Sequence, residues 1–271
     1  MMPPFSLAAL TVLELAPPAL IDVAAGCGYQ HVGIRLLSPM AGGIAYPLME
    51  DEAGLKETLA RLDATGITVA DLEVVAIRPE TEIASFAAFF ETGERLGAKN
   101  ILVAGYDPDL NRFTDRFAGF CEAAARHGLT ADLEFMPWTS VPDLATASRI
   151  VAQTASANAG VLVDALHFDR SNSSTAELAN VPTARLHYWQ LCDAPAERPA
   201  TTEAIIHAAR YERMFPGEGG IDLKSLVRAM PADIVVSIEV PTAELARTVD
   251  ARTRAQRALD AARNVIAAAR A

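Results

Sequence analysis

The chain has 271 residues, 51% of them hydrophobic and 21% charged, which supplies a full core and excludes intrinsic disorder. Its formal charge of −11 argues against a nucleic-acid binder, because a phosphate backbone requires a basic face. Three cysteines, Cys27, Cys121 and Cys192, with no CxxC pair, exclude a disulfide framework and fit a reducing, cytoplasmic setting. No uninterrupted apolar run reaches the roughly 18 residues of a membrane span. The opening apolar stretch carries no Lys or Arg before it and is broken by prolines and Glu14, so it reads as a first strand and not as a signal peptide.

Strand-like and helix-like runs alternate from there. Phe5 to Leu15 is the first apolar run, and Pro18 to Gly26 a short helix, with Pro near its start and Gly at its end. His31 to Leu37 is strand-like. Leu55, Leu59 and Leu62 place helical spacing on Glu50 to Thr65, stopped by Gly66. Val69 to Ile77 reads as the third strand, Ala84 to Leu96 as a helix, Asn100 to Tyr106 as the fourth strand and Phe113 to His127 as the next helix. Leu129 to Met136 is the fifth strand, Val141 to Ser156 a helix, Gly160 to Ala165 the sixth strand and Ser174 to Leu178 a short helix. Arg185 to Cys192 is the seventh strand. A long loop then leads to a helix at Leu223 to Met230, the eighth strand at Ile234 to Val240, and a closing Ala- and Arg-rich helix from Glu244 to Arg270. That last helix is expected to be solvated or to contact another subunit.

Eight β-then-α units of about 30 residues each predict a single-domain (β/α)₈ TIM barrel over residues 1–271. Continuous Val/Ile/Leu-rich strands suit a parallel sheet buried on both faces. The alternative, an open doubly wound sheet, is disfavoured because the first βα turn has Gly26 and Gly28 but no GxGxxG.

Four polar residues interrupt the ends of the last four apolar runs: Glu134 in LEFMP, Asp164 in VDALH, Gln190 in WQLCDA and Glu239 in SIEVP. A carboxylate in a buried strand is costly without a partner for its charge. The C-terminal ends of barrel strands carry the chemistry, and consecutive strands let these side chains converge. One divalent ion is the expected partner. Oxygen donors favour Mg²⁺ or Mn²⁺, with Zn²⁺ and Co²⁺ left open.

Those four segments, with RMFPGEGGIDL at residues 213–223 as a Gly-rich loop, resemble the xylose isomerase-like barrel superfamily, the group of sugar phosphate isomerases/epimerases and type-2 AP endonucleases. The resemblance covers nearly the whole chain. It implies a metal set of Glu, Asp, His and Glu, here with Gln190 where the His commonly stands. A Gln at that place also occurs in members similar to 3-dehydroshikimate dehydratase. The endonuclease branch is least similar: its additional zinc-binding histidines have no matching set among His31, His127, His167, His187 and His207.

By this resemblance the chemistry removes a proton next to a carbonyl, with a dication stabilising the enolate oxygen and Glu134 and Glu239 as acid/base groups on opposite faces. Returning the proton gives a sugar or sugar-phosphate isomerase/epimerase of carbohydrate metabolism. Loss of a hydroxyl from the next carbon gives a dehydratase. A non-catalytic ligand-binding barrel is the third reading, opposed by the intact acidic set. His167 is expected as a further acid/base group, and Arg213 as a clamp on substrate hydroxyl, carboxylate or phosphate. Glycines 217 and 219 would free the loop as a lid. Arg35 and Glu73 are expected to pair across the interior and touch substrate, and Trp138 to wall the pocket. His187, out of phase with Gln190, should face the helices. The expected partner is a small polyhydroxylated carbonyl compound, with no nucleic acid and no membrane. The resemblance leaves room for a homo-oligomer.

Overall fold

The computed structural model describes residues 2–40 and 42–271. Strands β1 (Phe5–Leu7), β2 (His31–Arg35), β3 (Thr68–Ile77), β4 (Asn100–Gly105), β5 (Thr130–Glu134), β6 (Ala159–Asp164), β7 (Tyr188–Leu191) and β8 (Val235–Ile238) close in chain order into a parallel barrel. Closure is made by β1 against β8, with Ser6 beside Ser237 and Leu7 beside Ile238. The doubly wound alternative is thereby excluded.

Around the barrel run α1 (Pro17–Cys27), α2 (Glu52–Thr65), α3 (Ala87–Arg95), α4 (Leu110–Ala125), α5 (Leu144–Gln153), α6 (Ala165–Arg170), α7 (Thr175–Leu178), α8 (Thr202–Tyr211), α9 (Leu223–Ala229) and α10 (Ala251–Arg270). Many start on a side chain that accepts an orphan N–H of the first turn: Asp51, Asp109, Asp143, Thr201, Asp222 and Asp250 each do so. The main core lies between the strands and this ring. Phe113, Phe117 and Phe120 of α4 are fully buried in it, each burial contributing roughly 1.5–3 kcal/mol.

Several expectations need correction. The first apolar run is not all strand: after Leu7 it turns into a 3-10 segment, Ala9–Val12. Arg185 closes another 3-10 turn, Thr183–Arg185, so β7 begins only at Tyr188. The stretch taken as a long loop contains α8, capped by Thr201. The closing helix is not free in solvent. Its small-residue face, including Ala255, Ala258, Ala262 and Ile266, is buried, and Tyr29 donates to the Ala255 carbonyl at 2.9 Å.

Beneath the mouth, the barrel interior is unusually polar for this architecture, whose interior is ordinarily filled by branched aliphatics. Asp71, Ser6, Ser237 and Tyr188 are fully buried there, and neither oxygen of Asp71 has a hydrogen-bond partner among the described residues. Glycines make the room. A Cβ on Gly33 would lie 2.8 Å from Asp71 Oδ2 and 2.9 Å from Glu73 Oε1. His187, expected to face the helices, instead reaches Asp132 at 2.6 Å. It precedes β7, so strand alternation does not govern it.

Candidate active site

Strand pairing aligns the four anticipated residues at the mouth. Asp164 sits beside Gln190, Gln190 beside Ser237, and Glu134 beside Leu162, two residues before Asp164. Glu239 follows β8 directly. All four are buried. Glu134 and Glu239, with His167 and Arg213, reach a cavity of about 520 Å³, whereas Asp164 and Gln190 are fully enclosed.

Their contacts are unequal. Gln190 Nε2 donates to Glu239 Oε1 at 3.0 Å. Arg213 Nη2 lies 2.8 Å from Glu239 Oε2, and Arg213 Nη1 lies 2.5 Å from Asp164 Oδ2. The other oxygen of Asp164 accepts the backbone N–H of His167 at 3.0 Å, so the same carboxylate caps α6. Glu134 accepts no hydrogen bond from any described residue. His167 Nε2 lies 3.7 Å from its Oε1. Trp138 packs edge-on against the His167 ring at 5.1 Å.

Arg213, anticipated as a substrate clamp, is thus committed to Asp164 and Glu239. The Gly-rich loop, anticipated as a lid, is pinned. Asp193 accepts the backbone N–H groups of Gly217 at 2.9 Å, Gly219 at 3.0 Å and Ile221 at 3.1 Å, and that of Ala194 at 2.8 Å. Arg35 and Glu73 do pair, at 2.7 Å, and Glu73 also accepts the Ala9 N–H at 3.0 Å. At this point the β3–β4 register slips between Leu72 and Val75, and the Glu73–Val74 peptide bond is cis. Arg35 and Trp138 line the cavity.

Burial, reinforced by Asp164 and Glu239, raises the Glu134 carboxyl well above the usual range. Burial pushes Glu239 up to about 7 although Arg213 opposes it, and lowers His167 to about 4, leaving it neutral near pH 7. Burial also works against the charge of Asp164, but Arg213 and His167 outweigh it and hold its pKa below normal.

A dication fits this donor set. Glu134, Asp164 and His167 offer ligand atoms within 4.8 Å of one another. The carbonyl oxygen of Gln190 is buried with no hydrogen-bond partner among the described residues. Three carboxylates against the single guanidinium of Arg213 leave an excess of two negative charges when all are ionised, which is costly without a counter-charge. His167 as a potential ligand was not foreseen: only α6, starting immediately after β6, turns it back toward Glu134.

The profile of the xylose isomerase-like TIM barrel family matches residues 21–265, and the chain belongs to that family. Among curated proteins, it is 26% identical over 151 residues to a 3-dehydroshikimate dehydratase of Pseudomonas aeruginosa; the match takes in 53% of this chain and 23% of that longer protein. Among solved structures, the IolI protein with a bound zinc atom superposes with a TM-score of 0.81 at 20% identity over 98% of both chains. The D-psicose 3-epimerase of Clostridium cellulolyticum H10, crystallised with D-tagatose, gives 0.73 at 15% identity, covering 97% of this chain and 99% of that one. At such identities these two likenesses show a shared fold. Relatives in the family are enzymes. Among the described residues no helix is long and apolar enough to cross a membrane.

Proposed function

We propose that the chain is a divalent-metal-dependent lyase that removes water from a small hydroxylated carbonyl compound. Glu134 takes the proton from the carbon next to the carbonyl, and the hydroxyl on the following carbon departs with a proton as water. The observation that carries this reading is the inequality of the two glutamates. Glu134 accepts no hydrogen bond from any described residue, and burial raises its carboxyl, which makes its carboxylate the stronger base once deprotonated. Glu239 has one oxygen on Gln190 and the other on Arg213. Chemistry needing one base is better served here than chemistry needing two opposed ones.

Glu134 and Asp164 would hold the ion, with His167 and the Gln190 carbonyl beside them, while Glu239 stays on Gln190 and Arg213. Such an ion, Mg²⁺, Mn²⁺, Co²⁺ or Zn²⁺, would polarise the carbonyl and carry charge developing on its oxygen. Neutral His167 offers a proton position next to Glu134. The partial likeness to a 3-dehydroshikimate dehydratase supports this choice.

Isomerisation or epimerisation is the second reading. It is favoured by the position of Glu239 near 7, which suits a second base, and by the fold shared with a D-psicose 3-epimerase. Incubating the Mg²⁺-loaded chain with a panel of hydroxy-ketones in D₂O separates the readings. Dehydration produces a conjugated absorbance and loses the mass of water, whereas epimerisation conserves mass and builds deuterium into the product. Glu134→Gln should lower either turnover about 10²–10⁴-fold. Unchanged turnover in that variant would remove Glu134 from the base role.

A further inference from the structure

Below the mouth, the barrel interior holds polar side chains that the reaction does not use. Ser6 of β1, Asp71 of β3, Tyr188 of β7 and Ser237 of β8 are all fully buried. Both carboxylate oxygens of Asp71 and the three hydroxyl oxygens lack a hydrogen-bond partner among the described residues, so they do not bond one another. Buried polar atoms are ordinarily satisfied, and a group of them left over calls for a ligand.

Their placement turns them toward a common space. Ser6 and Ser237 stand side by side across the closing seam. Their strand neighbours Phe5, Leu7, Val236 and Ile238 pack outward into the main core, so both serines point in. Tyr188 points in with the apolar cluster of Leu102, Ala104 and Leu162. On β2, between β1 and β3, the residue paired with Asp71 is Gly33. The Asp71 carboxylate leans over it, since a Cβ there would meet Oδ2 at 2.8 Å. The missing side chain lets Asp71 reach across β2 toward β1. Asp71 is also the acid that most opposes ionisation of the Tyr188 hydroxyl.

The charge is equally unmatched. Glu73 has Arg35, and Asp132 has His187 and Thr130. Asp71 has no such partner among the described residues. Burial, then Glu73, Glu239 and Asp132, raise its carboxyl well above normal, and only Arg35 opposes them. A proton on Asp71 would cancel the charge but serve few of these oxygens. Water would serve the oxygens and leave the charge. An ion of charge +1 does both, because hard oxygen donors replace its hydration shell and one carboxylate balances it. A dication among one carboxylate and three neutral hydroxyls would carry surplus charge into a buried site.

We infer that the barrel interior binds an alkali-metal cation, sodium or potassium, on Asp71, Ser6, Ser237 and Tyr188. This site is separate from the dication site at the mouth and does not depend on the reaction proposed above. Its ligands come from β1 and β8 as well as from β3 and β7, so the ion fastens the seam at which the barrel closes.

The test measures the melting temperature of the full chain at constant ionic strength in NaCl, KCl and N-methyl-D-glucamine chloride, with and without saturating Mg²⁺. At least one alkali salt should give a saturable rise of about 3 °C or more over the bulky cation, and the larger rise identifies the ion. Mg²⁺ should leave that increment intact. Asp71→Asn keeps the shape, removes the charge and should abolish the increment. Ser6→Ala removes one ligand oxygen and should need about tenfold more salt for half the effect. Crystals grown in the more stabilising salt should show an ion in contact with Asp71 and the three hydroxyls. Equal melting temperatures in the three salts, or an increment undiminished in Asp71→Asn, overturn the inference. An increment erased by Mg²⁺ places the alkali ion at the mouth and overturns it as well, as does a crystal with water alone in the interior. If Asp71→Asn does not fold, the wild-type salt comparison and Ser6→Ala decide.

Discussion

The guanidinium of Arg213 lies 2.5 Å from the carboxylate of Asp164, with both side chains essentially sealed from solvent. The same guanidinium reaches Glu239 at 2.8 Å. Removing a partner from a buried ion pair leaves an uncompensated charge and costs about 3–5 kcal/mol. Arg213→Met should therefore lower the unfolding free energy of the metal-free protein, read from urea titration, by an amount in that range, with a lower urea midpoint, and added Mg²⁺ should recover part of the loss. Arg213→Lys should lose less, because the charge remains and only the two-pronged geometry goes. A midpoint unmoved by Arg213→Met would mean that this pairing carries little weight in the fold.

Metal uptake should expel protons. Burial raises the carboxyl of Glu134 well above normal and that of Glu239 to about 7, so near pH 6 the metal-free site retains protons that a cation must displace. Affinity for Mn²⁺ or Zn²⁺ should rise between pH 5.5 and 7.5. Titration calorimetry in two buffers of different ionisation enthalpy gives the proton count directly. The sign for stability follows from the same shifts. A carboxyl with a raised folded pKa binds more protons folded than unfolded, so the metal-free chain should lose stability as pH rises above the unfolded value of about 4.5 toward the folded one.

Asp193 makes a local prediction. Its carboxylate accepts four backbone N–H groups, three of them from residues 217–221. Asp193→Ala leaves those donors without their acceptor, at about 1–3 kcal/mol for each one that finds no water. Hydrogen exchange at the Gly217, Gly219 and Ile221 amides should accelerate at least tenfold, with the amides of β4 unaffected. Equal rates in the two proteins would show that the loop is ordered by something else.

His187 gives a stability dependence of the same sense at higher pH. Burial disfavours its charged form, but the hydrogen bond and charge of Asp132 outweigh that and raise its pKa above 6.5. Stability from this pair is fully present below about pH 6.5 and lost as pH climbs through the folded value. His187→Gln should lower the melting temperature at pH 6 and have a smaller effect at pH 8.5. A parallel offset at both values would show that the histidine contributes by packing alone.

Much of the molecule was legible because its signals are local. Apolar runs punctuated at Gly66, Gly97 and Gly128 gave the βα rhythm, and polar residues at strand ends gave Glu134, Asp164, Gln190 and Glu239. The α8 helix was missed although Thr201 and the apolar spacing of Ile205 and Ala209 announce it; the nearby Pro and Gly drew attention to loop instead. The commitment of Arg213 was not readable, since a buried pair 49 residues apart depends on how the loop after β7 returns to the barrel. The same holds for Asp193, which looks like any strand-end acid until the loop folds back onto it, and for His187, whose partner lies 55 positions away. Polar lining below the mouth was equally hidden: Asp71 appears in sequence as one acid in an apolar strand, and only closure brings it beside Gly33.

The seam between the two ends of the chain has a consequence for synthesis. β1 finds its second neighbour only in β8, and α10 reaches back to Tyr29 and Thr11. A growing polypeptide that has emerged only as far as β7 displays two raw sheet margins with unpaired amides. Until the remaining segment leaves the ribosome it is a half-open cylinder prone to sticking to its neighbours, so production of this protein should respond to chaperone supply more than its final stability would suggest.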